Sequence, residues 1–485
     1  MKRTRLKLIG SLLLTLTPSG MSYAQADKTK PDDGKRQKEE QRAEITSKEE
    51  ANFSIDKLVG GKEVWAQTAD QIEKDYSKGG YKWLETGKKD RGILRPNWMW
   101  MKSESKNSKG QVTLNLSGAR TSYQLFDGAA SAEEVNFDFR DGKLLLVTMS
   151  IWNKGDSEEI TKPAFMSKVT VLTDLLNGRL GVRVKDIGKD QANASKALRL
   201  RWEGAETVAQ LEYSFTEELV SHGAKRERVF IPEFIRLRLM PKGESAVGAV
   251  NAPNVAKVSA SALAGRVKKL PNGDVYIDGV PMVDQGEKGY CAVASSERVM
   301  RYYGIQCDQH DLAQAAAASA GGTRPGDFED ALHKLQGKFK IRVRDLVKFD
   351  YQDHLRLLKA YNKEAASKKG KIWREQDWYF EPDLAIYRDA RCRNNAYEKF
   401  QKLVVDSTSR GVPLLWALRL GIYPENGEKA RQSGGGHMRT IIGYNIKADE
   451  IIFSDSWGAG HEMKRIKGRD AWAATLGLYL VEPQN

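Results

Sequence analysis

The chain has 485 residues, of which 40% are hydrophobic, and a formal charge of +14 at neutral pH. That is enough apolar material for more than one core, at ~100–200 residues per domain. No aromatic-interleaved basic repeat, zinc-finger spacing or Gly-rich phosphate loop accompanies the positive charge, so a nucleic-acid partner is not expected. Three cysteines are too few for a disulfide framework, and no Cys/His cluster has the spacing of a zinc site.

Residues 1–26 read as an export signal. Lys2, Arg3, Arg5 and Lys7 precede a short apolar run, Leu8–Leu16, and Ser22-Tyr23-Ala24 and Ala24-Gln25-Ala26 offer small-residue cleavage sites. The run falls short of the ~20 residues that a membrane span needs, so the mature chain is expected to carry no integral membrane segment. Export to the periplasm or the medium follows. Residues 27–52 alternate Lys/Arg with Asp/Glu over Asp27–Glu50 and have almost nothing to bury, which predicts a charged, disordered tether.

Residues 53–242 predict a strand-rich α+β domain. Val112–Leu116, Thr121–Leu125, Val135–Phe139, Leu144–Ile151, Ala197–Trp202, Ala209–Phe215 and Val229–Leu239 pattern as strands, and Met166–Leu176 as a short helix. Asp141-Gly142 signals a hairpin. No catalytic constellation occurs here, and His222 stands without an evident partner. Residues 243–265 dilute into Ala, Val, Ser, Asn and Gly and read as a linker open to nicking. The domain ahead of it is therefore either a propeptide or a permanent targeting module.

Residues 266–485 hold the chemistry. Val275–Met282 reads as a strand leading to Gln285, and the turn Gln285–Tyr290 runs straight into Cys291. Val293, Val299, Met300 and Tyr303 then recur at helical spacing, with Gly304 where a C′ cap belongs. Cys291 thus starts a helix, where free N–H groups and the macrodipole favour a thiolate. Asp308 is expected to cap a helix through Ala318, and Asp327 another through Leu335. Tyr397–Val405 predicts a helix stopped by Gly411 before the strand Leu414–Leu418. Farther on, Gly434-Gly435-Gly436-His437 opens a strand-like run through Tyr444, and Asp455-Ser456-Trp457-Gly458 follows the run Ile451-Ile452-Phe453. A base on one strand and an orienting carboxylate on the next is the logic of a nucleophile–base–orienter triad. His310, His333, His354 and His461 lack such context and read as structural.

These motifs resemble the papain-like cysteine peptidases. Gln285 stands six positions before Cys291, as the oxyanion-hole Gln does in that clan, and Gly289 stands two before it. The spacing from His437 to Gly443-Tyr444 matches, and Asp455-Ser456-Trp457-Gly458 resembles the clan's Asn-Ser-Trp-Gly. Lys288 and Ala292 depart from papain, where a disulfide Cys and a Trp stand, and Asp455 replaces Asn. Together with Arg410–Leu415 these features are closer to the double-glycine leader (bacteriocin-processing) peptidases. The Cys291–His437 interval is longer than usual there, which predicts an insertion between Val347 and Arg393. The resemblance spans roughly 280–480 and implies Cys291 as nucleophile, His437 as base, Asp455 as orienter and Gln285 as oxyanion donor, with no cofactor or metal and a peptide or protein substrate. The same triad would also serve an acyltransferase of transglutaminase type, and the scaffold could serve as a non-catalytic binding module. Should Cys307 and Cys392 pair, Cys291 would be the free thiol.

Overall fold

The structure is a computed structural model. It describes residues 51–76, 99–103, 112–117, 121–140, 142–155, 159–189, 197–222, 225–243, 258–286, 288–305, 307–318, 322–375, 381–426, 435–458 and 461–484. The expected export signal, residues 27–50 of the charged tether expected over 27–52, most of the expected linker and Gly434 lie outside the described residues, whereas Ala51 and Asn52 are no tether but start the strand Ala51–Ser54, which pairs with Thr121–Gln124. Residues 50–485 form one compact unit.

The architecture is α+β, built on two eight-stranded sheets with their own cores. The first sheet is antiparallel, in the order Met99–Ser103, Val112–Ser117, Glu134–Arg140, Lys143–Asn153, Lys225–Pro241, Thr207–His222, Leu198–Glu203, Lys185–Lys189. Alternation in the sequence marks most of these strands, and Gly142 (φ +73°) turns the hairpin that pairs Arg140 with Lys143. The last hairpin is far longer than expected, because charged residues such as Glu217, Arg226 and Arg228 keep pairing beyond the apolar stretch. Helix Lys162–Leu180 also exceeds the expected Met166–Leu176. Thr161 caps it by accepting the Ala164 N–H, Pro163 stands in its first turn, and Gly181 ends it in the left-handed region (φ +64°). Its buried face of Phe165, Val169, Leu172 and Leu176 joins Trp202, Leu211 and Leu237 in the first core.

The second sheet runs Val267–Lys269, Asp274–Ile277, Gly436–Asn445, Leu414–Arg419, Thr475–Pro483, Ile341–Lys348, and Glu450–Ser454 and Lys464–Lys467 continue from Gly436–Asn445. Several expected bounds shift for local reasons. The strand expected at Val275–Met282 stops at Ile277, where Gly279 (φ +81°) turns the chain and Pro281 follows. Asp308 does cap a helix, which ends at Ala315 and not Ala318. The next helix spans Pro325–Phe339, with Arg324 at its N-cap and Pro325 at N1, so Asp327 lies in its first turn and is not the cap. The expected linker ends early: Ser259 caps the short helix Ala260–Ala264, whose Leu263 is buried in the second core. Between Val347 and Arg393, where an insertion is expected, the described residues include helices Tyr351–Ser367 and Leu384–Arg391. The three cysteines are free thiols, so Cys307 and Cys392 do not pair.

Candidate active site

Helix Cys291–Tyr302 begins at the cysteine itself. Its C-terminus is a Schellman motif: Gly304 (φ +81°) donates to Arg301 O at 2.9 Å and Ile305 to Met300 O at 3.0 Å. The N-cap, Tyr290, makes no side-chain capping bond. The helix is fixed against the strand that carries His437 by Ser295 Oγ, one turn after Cys291, which donates to Met438 O at 3.2 Å. Arg298, buried, donates through Nε to Pro281 O at 2.7 Å and through its guanidinium to Ser454 Oγ.

Strand Gly436–Asn445 places His437 second from its start, and Glu450–Ser454 pairs with it antiparallel, so the chain leaves that neighbour at Asp455. His437 Nε2 and Asp455 Oδ1 lie 2.7 Å apart. His437 also shares a side-chain hydrogen bond with the Cys291 sulfur, to which the Met438 backbone hydrogen-bonds as well. Trp457 stacks on the imidazole with centroids 4.7 Å apart and an interplanar angle of 29°. Cys291 is partly exposed, whereas His437 and Asp455 are buried.

The electrostatics favour an ion pair. Burial alone would raise the Cys291 pKa, but the charge and hydrogen bond of His437 and the Met438 N–H outweigh it and hold the thiol below its usual range. Burial alone would lower the His437 pKa, yet Asp455 and Cys291 together push it up to about 9. Asp455 would be raised by burial, and His437, Arg439 and Lys464 hold it well below the usual carboxylate range. Both shifts run in the direction of a thiolate beside an imidazolium.

Gln285 is held through both ends of its amide. Its Oε1 accepts from Ser456 Oγ at 2.8 Å, its Nε2 donates to Lys288 O at 3.1 Å, and its backbone N–H donates to Ser456 O at 2.8 Å. Ser456 N–H in turn donates to Asp455 Oδ1 at 2.9 Å. One serine thereby ties the Gln285 loop to the carboxylate that orients His437. The structure brings Cys291, His437 and Asp455 into one hydrogen-bonded chain and joins Gln285 to it through Ser456.

Residues that sequence reasoning missed lie behind this row. Arg439 is fully buried and donates through Nε to Asp455 Oδ2 at 2.7 Å and through its two terminal nitrogens to Glu425 at 2.6 and 3.3 Å. Its guanidinium also lies 4.5 Å from the Phe453 ring centroid and 5.5 Å from that of Trp457. The signal available was two-residue periodicity: a charged Arg439 on the same face of a strand as His437, among apolar neighbours. Gly443, read with Tyr444 as a motif, has a structural reason: a Cβ there would lie 2.3 Å from Val275 O, so only glycine lets strand Asp274–Ile277 pair. His461 contributes its carbonyl to Asp455 N–H at 2.9 Å and packs its ring on Trp457.

Residues 277–478 match the model of the family described as Peptidase_C39 like family. That match supports a papain-like cysteine-peptidase fold for the C-terminal part of the chain. Among solved structures, the chain is similar to xylellain, a cysteine protease from Xylella fastidiosa, at 11% identity and a TM-score of 0.25, over 47% of this chain and 91% of that one. No curated protein matches the chain.

Proposed function

We propose that the chain is an exported cysteine peptidase that hydrolyses peptide bonds. The observation that carries this is the hydrogen-bonded row Cys291–His437–Asp455, with the sulfur at a helix N-terminus and its thiol held below the usual range. As thiolate, Cys291 attacks the amide carbonyl, and protonated His437 gives its Nδ1 proton to the leaving amine. Asp455 fixes the tautomer through Nε2 and stabilises the imidazolium. The Cys291 backbone N–H and the second Nε2 hydrogen of Gln285 are the donors for the tetrahedral oxyanion, each worth roughly 10²–10³ in rate. Water, deprotonated by the now neutral His437, then hydrolyses the acyl-enzyme. Among the described residues no helix is long and apolar enough to cross a membrane. Export rests on the basic start and apolar run of residues 1–26.

The test is incubation of the chain, its Cys291→Ala variant and its His437→Ala variant with a denatured protein, in the presence and absence of a primary amine. Fragments with free carboxyl ends from the parent chain alone are expected. Amine incorporated in place of hydrolysis would assign acyl transfer, and fragments from either variant would overturn the triad.

A further inference from the structure

The turn that precedes Cys291 does not stand by itself. Lys288 O is its hub, accepting both Gln285 Nε2 at 3.1 Å and the Tyr290 N–H at 2.8 Å. The side chains of Lys288 and Tyr290 are buried, and Lys288 Nζ lies 5.0 Å from the Tyr290 ring centroid. What buries them comes from the first sheet. A Cβ added at Gly155, just past strand Lys143–Asn153, would lie 2.6 Å from Lys288 Cδ and 2.8 Å from Tyr290 Cζ. Such distances are closer than packed atoms tolerate, so a side chain at Gly155 would have to displace Lys288 and Tyr290 from the turn.

A second contact braces the same ring from another side. Tyr290 meets the His310 ring edge-on with centroids 5.8 Å apart, and His310 Nε2 lies 3.7 Å from Glu134 Oε2 on the first sheet. Burial alone would raise the Glu134 carboxyl, but His310 and Lys288 hold it below its usual range. The two halves are anchored around this point by buried and half-buried groups. Arg236 of the first sheet donates to Asp311 at 2.8 and 3.1 Å and pairs with Glu212. Ser214 Oγ donates to Gln314 at 3.0 Å, and Arg301 lies 3.8 Å from Asp138. Detaching the first sheet would break this buried Arg236–Asp311 pair.

We propose that the first sheet is a lasting positioning part of the active site, in which Gly155 and Glu134, acting through Lys288, Tyr290 and His310, set the turn that holds Gln285 and the Cys291 N–H. This differs from both a shed propeptide and a targeting module, and it rests on the peptidase reading above. The Cys291–His437 pair hangs on different supports, Ser295 and the Gly436–Asn445 strand. Disturbing the turn should therefore impair oxyanion stabilisation and leave the thiolate intact.

The experiment uses the full chain with Gly155→Val and Glu134→Gln, and Lys185→Gln on the far edge strand as a control. Turnover of a peptide substrate and the rate of Cys291 alkylation by iodoacetamide are measured side by side. Gly155→Val and Glu134→Gln should lower kcat about 10- to 100-fold, part of the worth of displaced oxyanion donors. KM and the alkylation rate should stay within about twofold, because the lost interaction belongs to the transition state. Gly155→Ala, a smaller intrusion, serves if the valine variant does not fold. Unchanged kcat in folded Gly155 and Glu134 variants would overturn the proposal, as would alkylation falling in step with kcat. A parent chain with neither hydrolysis nor a reactive thiol would instead overturn the peptidase reading itself.

Discussion

Arg439 and Asp455 are bound face to face in the protein interior, Nε to Oδ2 at 2.7 Å, while the other carboxylate oxygen serves His437 at the same distance. The carboxylate is thus shared between a permanent cation and one that must gain and lose its proton. Arg439→Met should leave Asp455 and Glu425 buried without that cation and destabilise the fold by about 3–5 kcal/mol. Denaturant unfolding checks this, and Arg439→Met combined with Glu425→Met should recover part of the loss. Equal stability of the single variant and the parent would show that the pair is replaceable by solvent.

Asp455→Ala should lower turnover substantially, but less than Cys291→Ala or His437→Ala, because it orients and does not react. It also removes the main charge raising His437, so the alkaline limb of the pH–rate profile should move to lower pH. An alkaline limb that does not move would mean that another group sets the imidazole pKa.

The pH window follows from the signs. His437 is raised from 6.5 to about 9, so the imidazolium persists up to about pH 9 and is lost above it. Cys291 is depressed from 9.0, so the thiolate is already formed below pH 9.0 and is lost as pH falls through its lowered value. Their overlap forms a plateau ending near pH 9, and kcat/KM of the parent chain should fall above it. Activity still rising beyond pH 10 would contradict the ion pair.

Only one thiol should label readily at neutral pH. Burial holds Cys307 well above its ordinary pKa and raises Cys392 to about 11, whereas Cys291 is lowered. Mass spectrometry after brief iodoacetamide treatment should find a single adduct, absent from Cys291→Ala.

Gly411→Ala should destabilise by more than about 1 kcal/mol. Gly411 has φ +76°, and a Cβ there would lie 2.0 Å from Leu263 O. Thermal unfolding of the variant measures the cost.

The sequence was most legible where structure follows local pattern. Alternating residues marked the strands around Val135, Leu144 and Leu414, and Gly304 and Gly411 stood where the helices end. Cys291, His437 and Asp455 stood out because turn and strand signals surround each. Arg439 left only its place on the His437 face of the strand, and Glu425 and the hydroxyl of Ser456 left no local trace, since their partners lie on other strands and loops. Arg236 was hidden for the same reason: on a strand of alternating Arg and apolar residues it reads as a solvent-facing charge, yet it is buried against Asp311. The length of the last hairpin of the first sheet was underestimated because charged pairs such as Glu217 with Arg228 sustain it without hydrophobic alternation.

The order of strands in the second sheet bears on when the molecule can be completed during synthesis. Strand Thr475–Pro483 is inserted between Leu414–Arg419 and Ile341–Lys348, and Asp455 follows the neighbour of the His437 strand. A ribosome-bound chain that has already released Cys291 and its helix therefore still lacks both the orienting carboxylate and the strand that bridges the sheet. Pairings so distant along the chain form late and slowly. Synthesis itself thus leaves the second sheet open until residue 483 has left the tunnel to pair with Ile341.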